Sequence, residues 1–75
     1  MADYILTTTC QDVAGISAAV TGCLADAGGF ILDSRQHGDP ATGAFFQRIG
    51  FRADASPAEL ERAFAPVAAR FGMAW

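Results

Sequence analysis

The sequence predicts an α+β fold in which one antiparallel sheet is covered on one face by two helices. Segments rich in β-branched and aromatic residues come first, third and fourth along the chain, and segments with apolar residues at helical spacing come second and fifth. A dense turn cluster of hairpin length joins the third and fourth segments, and a serine–proline cap opens the fifth. This order is that of a split βαβ unit.

The first strand and the first helix follow each other directly. Residues 3–9 carry Ile and Thr in weak alternation, which predicts a strand. A helix is predicted over residues 14–27, because apolar side chains recur there on one stripe. Gly28 and Gly29 should end this helix, since glycine tolerates the left-handed conformation of a C-cap. The stripe consists of Ile16, Ala19, Val20, Cys23, Leu24 and Ala27.

A hairpin is predicted next. Residues 30–37 begin apolar and become polar, as expected of a strand that runs from the core to an edge. The turn cluster covers residues 38–43, and the third strand is predicted over residues 44–52. We expect one phenylalanine on its more polar face to cover an edge or to contact another subunit. Alternation puts Phe45, Ile49 and Phe51 on one face of this strand and Phe46, Arg48 and Arg52 on the other.

The second helix has a clear start signal. Residues 56–59 supply a capping Ser, a Pro at the first helical position and a Glu three residues after the cap. Pro66 lies inside the apolar pattern and predicts a kink or an early end. Gly72 fits a C-cap, and residues 73–75 would begin a fourth strand. The buried stripe is predicted to consist of Leu60, Phe64, Val67, Ala68 and Phe71.

The predicted architecture is therefore a ferredoxin-like βαββαβ two-layer sandwich whose last strand is truncated. The handedness preference of crossovers places strand one beside strand three, with the last strand on its other side. Because that last strand has only residues 73–75, strand one is left partly uncovered. We expect either that the chain is a fragment or that a partner covers this edge.

Composition limits the classes of partner. The chain has 75 residues, 52% of them hydrophobic, and a formal net charge of -3. A homo-oligomer, dimer or higher, is predicted because a small domain should not expose so much apolar surface. The acidic balance and the scattered arginines offer no field for nucleic acid or for an anionic membrane. Cys10 and Cys23 fit no metal or redox spacing and are predicted to be reduced thiols of a cytoplasmic protein.

The turn at residues 9–16 is the main candidate for a ligand site. It joins the first strand to the first helix, and free N–H groups at a helix start suit a small anion such as a carboxylate. The alternative is a plain chain reversal, in which Asp12 and Gly15 serve only as cap and turn residues.

Catalytic groups are scarce in this sequence. His37 is the only histidine, and Asp33 and Asp39 lie near it in the chain, so a general base oriented by an aspartate is one hypothesis. A solvated edge histidine and a turn-stabilising Asp39 explain the same residues without chemistry. Because no nucleophile, phosphate loop or metal-ligand set accompanies His37, the chain alone is predicted not to be an enzyme, and no cofactor is predicted.

Several segments carry a family resemblance. Residues 12–16, Asp-Val-Ala-Gly-Ile, stand where ACT domains, which are small ligand-binding regulatory modules, have an Asp-Arg-Pro-Gly-Ile turn. Over essentially its whole length the chain also resembles the N-terminal domain of the bacterial formyltetrahydrofolate deformylase family. The segments that carry this second resemblance are residues 4–7, 10–12, 31–34, 36–40, 42–43, 45–46, 48 and 71–75.

The resemblance implies that residues 1–75 are a single regulatory domain of a larger enzyme. That enzyme would hydrolyse 10-formyltetrahydrofolate to formate and tetrahydrofolate, in one-carbon metabolism and purine biosynthesis. Its catalytic Asn, His and Asp would belong to a formyltransferase-like domain after residue 75, so no catalytic residue is assigned here. The resemblance further implies a dimer seam, built from the turn and strand two, that senses an amino acid such as glycine or methionine.

The chain departs from the family pattern in two places. Val13 and Ala14 replace the usual Arg-Pro, and Phe30 stands where the family often has an Asn. That Asn would hydrogen-bond a ligand, whereas Phe30 is expected to fill the pocket or to pack across a dimer interface. The alternative hypothesis is a free-standing ACT-type interaction module without a catalytic partner in the same chain. The ligand contacts implied, mainly through backbone groups, are Asp12, Val13, Ala14, Gly15 and Ile16.

Overall fold

The computed structural model describes residues 2–75. Within that range three strands form one antiparallel sheet in the order β1–β3–β2, with two helices packed against it. This arrangement confirms the predicted ferredoxin-like two-layer fold. The elements in chain order are β1 (Ala2–Gln11), α1 (Ile16–Asp26), β2 (Phe30–Asp39), β3 (Ala44–Ala53) and α2 (Pro57–Phe71).

The predicted fourth strand is reduced to a single antiparallel bridge. The Thr9 N–H donates to the Ala74 carbonyl at 3.0 Å, and the Ala74 N–H donates to the Thr9 carbonyl at 2.9 Å. The end of the chain therefore lies on the side of β1 that was predicted for it. Apart from this bridge, no described residue pairs with the outer edge of β1.

The helix boundaries follow from their caps. α1 begins at Ile16, two residues later than predicted, because Gly15 holds a left-handed φ of 90°. The Ser56 hydroxyl accepts a hydrogen bond from the Glu59 N–H at 3.2 Å, as the cap signal predicts. The early end considered at Pro66 is wrong, since α2 continues to Phe71 before Gly72 caps it. Within residues 2–75, neither helix has the length and apolar character needed to cross a bilayer.

The core lies between the helices and one face of the sheet. The register places Leu6 opposite Ile49 and Tyr4 opposite Phe51, so alternate residues of β1 and β3 point at the helices. Ile49 and Val20 have no exposed side-chain surface. Five residues of the predicted helix stripes are buried in this core, namely Ile16, Val20, Leu24, Phe64 and Ala68. The other buried members of the core are Cys10, Ile49, Phe51, Ala53 and Met73. Four further stripe residues are partly buried against it: Cys23, Leu60, Val67 and Phe71.

Candidate functional site

The turn between β1 and α1 is fixed by backbone contacts. The Asp12 N–H donates to the Gly43 carbonyl at 2.8 Å, which ties the turn to the hairpin between β2 and β3. Gly15 is the N-cap of α1, and no described side chain caps this helix start. The first-turn N–H groups of α1 are therefore available to a bound anion.

The five predicted contact residues are adjacent in the chain but differ in exposure. Asp12, Val13, Ala14 and Gly15 are exposed, whereas the Ile16 side chain is buried in the core. The Asp12 carboxylate lies close to Gly38, where an added Cβ would sit 3.0 Å from Asp12 Oδ2. The Asp12 carboxylate therefore lies against the end of β2, in the same turn as the uncapped start of α1.

The structure does not bring Phe30 to this turn within one copy. Phe30 pairs with Arg52, whereas Asp39, at the other end of β2, pairs with Ala44 beside the turn. At about 3.3 Å per residue, the length of β2 puts roughly 30 Å between Phe30 and the turn. The Phe30 side chain is 66% exposed and fills no pocket of its own copy. A site that includes both features would need a second copy.

His37 is not oriented by either neighbouring aspartate. Its ring stacks on Phe46, with centroids 6.5 Å apart. The Asp33 carboxylate lies 3.4 Å from Arg35 Nε, and the Asp39 carboxylate accepts hydrogen bonds from residues 41 and 42 of the hairpin turn. The turn role of Asp39 is therefore confirmed, and the described residues contain no aspartate–histidine pair.

The cysteines have the properties of structural thiols. Both are free, and burial raises the pKa of the Cys10 thiol and of the Cys23 thiol. Cys23 Sγ donates to the Ala63 carbonyl at 3.3 Å. Across residues 2–75, no three His, Cys, Asp or Glu side chains lie close enough together to hold a metal ion.

Two polar rows across the sheet were missed in the sequence analysis. On the helix side Thr8 lies opposite Gln47, and each is only 4% exposed. Neither Thr8 Oγ1 nor the Gln47 amide has a hydrogen-bond partner among the described residues. On the open side, Arg48 lies between Thr7 and Arg35. The alternation of β3 could have revealed the buried row. Gln47 lies between Phe45 and Ile49, which were both assigned to the buried face.

Two curated relatives are formyltetrahydrofolate deformylases. The chain is 36% identical over 75 residues to that of Corynebacterium sp. (strain P-1), a match that covers 96% of this chain and 26% of the relative. It is 39% identical over 74 residues to that of Bacillus subtilis (strain 168), covering 93% of this chain and 25% of the relative. The chain thus spans about a quarter of the length of these relatives, in their N-terminal part. No protein-family model matches the chain.

Solved structures show the same similarity. The formyltetrahydrofolate deformylase from Burkholderia mallei ATCC 23344 superposes with a TM-score of 0.91 and 35% identity, over 97% of this chain and 26% of that one. An ACT domain protein from Streptococcus pneumoniae gives a TM-score of 0.79 at 23% identity, over 95% of this chain and 81% of that one, and shows the fold. The resemblance to the ACT fold and to the N-terminal part of formyltetrahydrofolate deformylases is confirmed.

Proposed function

We propose that this chain is the ACT-type regulatory and oligomerisation domain of a formyltetrahydrofolate deformylase. The parent reaction is the hydrolysis of 10-formyltetrahydrofolate to formate and tetrahydrofolate, in the one-carbon and purine metabolism of the cytoplasm. The observation that carries this proposal is a match along 93% to 97% of the chain with only about a quarter of each deformylase. The reacting groups belong to the rest of the parent protein, and this chain contributes regulation and assembly.

An amino acid is the effector that the turn at residues 12–16 fits best. Its carboxylate would accept hydrogen bonds from the first-turn N–H groups of α1, where the helix dipole also favours negative charge. Its ammonium group would pair with the exposed Asp12 carboxylate. Val13 and Ala14 contribute backbone only, and the absence of a side-chain cap at Gly15 keeps the N–H groups accessible. Glycine and methionine are the first effectors to test.

Exposed apolar side chains support the oligomeric part of the proposal. Phe30 is 66% exposed and Leu32 48%, both on the edge strand β2, which is unusual for large apolar residues of a small domain. The outer edge of β2 is unpaired within residues 2–75, and unpaired edges favour association with another strand. Antiparallel pairing of two β2 strands would bring Phe30 of one copy toward the turn end of the other. A dimer seam of this kind unites the two separated parts of the predicted site.

Titration with glycine, methionine and serine tests the sensing function. We expect binding heat and a thermal shift with at least one of them, and an affinity roughly tenfold weaker in Asp12→Asn because a charged partner is lost. Asp26→Asn removes the same charge at the other end of α1 and is the matched control. Binding that is equal in both variants, or absent with all three amino acids, would reject the sensing function and leave only the assembly role.

Sedimentation and gene context separate the remaining alternatives. A dimer or larger assembly is expected, and a monomer at high concentration would contradict the oligomerisation role. An in-frame continuation into a formyltransferase-like domain would establish the parent enzyme, whereas a stop codon after residue 75 would favour a free-standing interaction module. Hydrolysis of 10-formyltetrahydrofolate by the 75 residues alone, lost in His37→Ala, would overturn the assignment of catalysis to another domain.

A further inference from the structure

The open face of the sheet carries a shallow groove of about 350 Å³ whose two sides differ in chemistry. Arg35 and Arg48 line one side and lie directly opposite each other in the register of β2 and β3. His37 and Phe46 line the other side, also opposite each other, with their rings stacked. Thr7 of β1 lies opposite Arg48 and extends the arginine row.

A β-bulge brings both halves of this groove to the same face. The register of β2 against β3 shifts between Ile31 and Asp33. Ile31 pairs with the buried Phe51 on the helix side, so strict alternation would have placed Arg35 on that side too. The extra residue moves Arg35 and its neighbour His37 to the open face.

The charge of the arginine row is not balanced. Like charges directly opposite each other in a sheet repel, so such a pair is costly unless something neutralises it. Arg35 has Asp33 at 3.4 Å, in a pair whose side chains are largely exposed. Arg48 has no ion pair within residues 2–75. This local excess of positive charge occurs in a chain whose net charge is -3.

We propose that this groove binds an aromatic carboxylate, a ligand with a flat ring and one or two carboxylate groups. Two guanidinium groups on neighbouring strands can donate to one carboxylate together, a geometry that arginine favours. The stacked rings of Phe46 and His37 offer apolar faces on which the ligand's ring can lie. Arg48 and Phe46 are two residues apart on β3, so their positions along the strand differ by about 7 Å. A ligand that contacts both must therefore carry its carboxylate at a distance from its ring.

Neither a second copy of this face nor a nucleic acid meets these requirements. Two copies packed face to face about an axis through the groove would set one arginine row against the other and add repulsion. The face also carries Asp3, paired with Arg52, besides Asp33, so its net charge is far below that of a nucleic-acid site. No residue of the turn at residues 12–16 lines this groove, so the proposal does not depend on the proposed function.

Amide chemical shifts of the labelled chain test the proposal with N-benzoylglutamate as the probe. Benzamide keeps only the ring and glutarate only the carboxylates, so both should bind at least about fivefold more weakly than the complete probe. The largest shifts are expected at residues 7, 35, 37, 46 and 48. Shifts centred on residues 12–16 instead, or no saturable shift with N-benzoylglutamate, would overturn the proposal.

Matched variants assign the contributions of the two sides. Arg48→Gln should weaken N-benzoylglutamate binding about fivefold, as expected for an exposed ion pair. Arg62→Gln makes the same charge change on the exposed surface of α2 and should have no effect. Phe46→Ala should weaken N-benzoylglutamate but leave glutarate unchanged. Equal affinity in the two arginine variants, with folded amide spectra for both, would contradict a specific site.

Discussion

The two faces of the sheet are made by the same three strands, yet they do opposite things. On the helix side Ile49 is fully buried and forms the centre of the core, whereas on the open side Ile5 is 61% exposed. Both are isoleucines in paired strands, so their surroundings and not their chemistry set the difference. Stability is concentrated on the face that the helices cover, which leaves the other face free to bind without loss of the core.

The largest expected effect separates the two faces directly. Ile49→Ala should lower the free energy of unfolding by about 2–5 kcal/mol, because it leaves a cavity in a core that cannot collapse fully. Ile5→Ala deletes the same atoms on the open face and should change it by less than about 0.5 kcal/mol. Urea unfolding followed by circular dichroism measures both. Similar losses in the two variants would show that the open face is covered in solution, as an oligomer would do.

The buried polar pair is the exception on the helix side. Gln47→Met keeps an unbranched side chain of similar length and removes an amide that has no described partner. It should raise the free energy of unfolding by about 1–2 kcal/mol, since a buried unpaired amide is costly. Gln36→Met is the control, because the Gln36 amide oxygen accepts a hydrogen bond from the Ser17 hydroxyl. A loss of stability in Gln47→Met would mean that this amide has a partner in solution.

Local signals were enough to predict the fold. The Ser56 cap, Gly72 and the turn cluster before β3 each determine an element boundary by short-range chemistry, and all three agree with the structure. Alternation in β3 also gave the correct faces for Ile49 and Phe51. These features depend on residues within one or two turns of each other, which is why a single sequence contains them.

Features that depend on pairing between strands could not be predicted from the sequence. The bulge after Ile31 reverses the side on which Arg35 lies, and nothing in the residues of β2 announces it. Because the sequence does not show this bulge, the arginines were interpreted as scattered, although Arg35 and Arg48 lie opposite each other on neighbouring strands. The distance from Phe30 to the turn likewise follows only from the register of the complete sheet. Boundary errors were smaller, as at Gly15, whose positive φ delays the start of α1.

The smallest expected effect lies at the far end of the open face. Arg52 Nε donates to Asp3 Oδ1 at 2.7 Å, and this hydrogen bond lowers the pKa of the Asp3 carboxyl below its usual value. A lowered pKa in the folded state stabilises the fold above the pKa of the unfolded chain, and the contribution is lost as pH falls through the folded value. Asp3→Asn should therefore lower the urea midpoint slightly at neutral pH, because both side chains are largely exposed.

The pH dependence of this variant tests whether the pair has any effect on stability. As pH falls through the folded pKa of Asp3, the wild-type carboxyl becomes protonated, and the difference between wild type and Asp3→Asn should shrink toward zero. Carbon-detected titration of the Asp3 carboxyl gives its folded pKa independently of unfolding. A difference in urea midpoint that stays constant from neutral to acid pH would show that Asn acts through packing or the unfolded chain. The charge pair between Asp3 and Arg52 would then contribute nothing measurable to the stability of the fold.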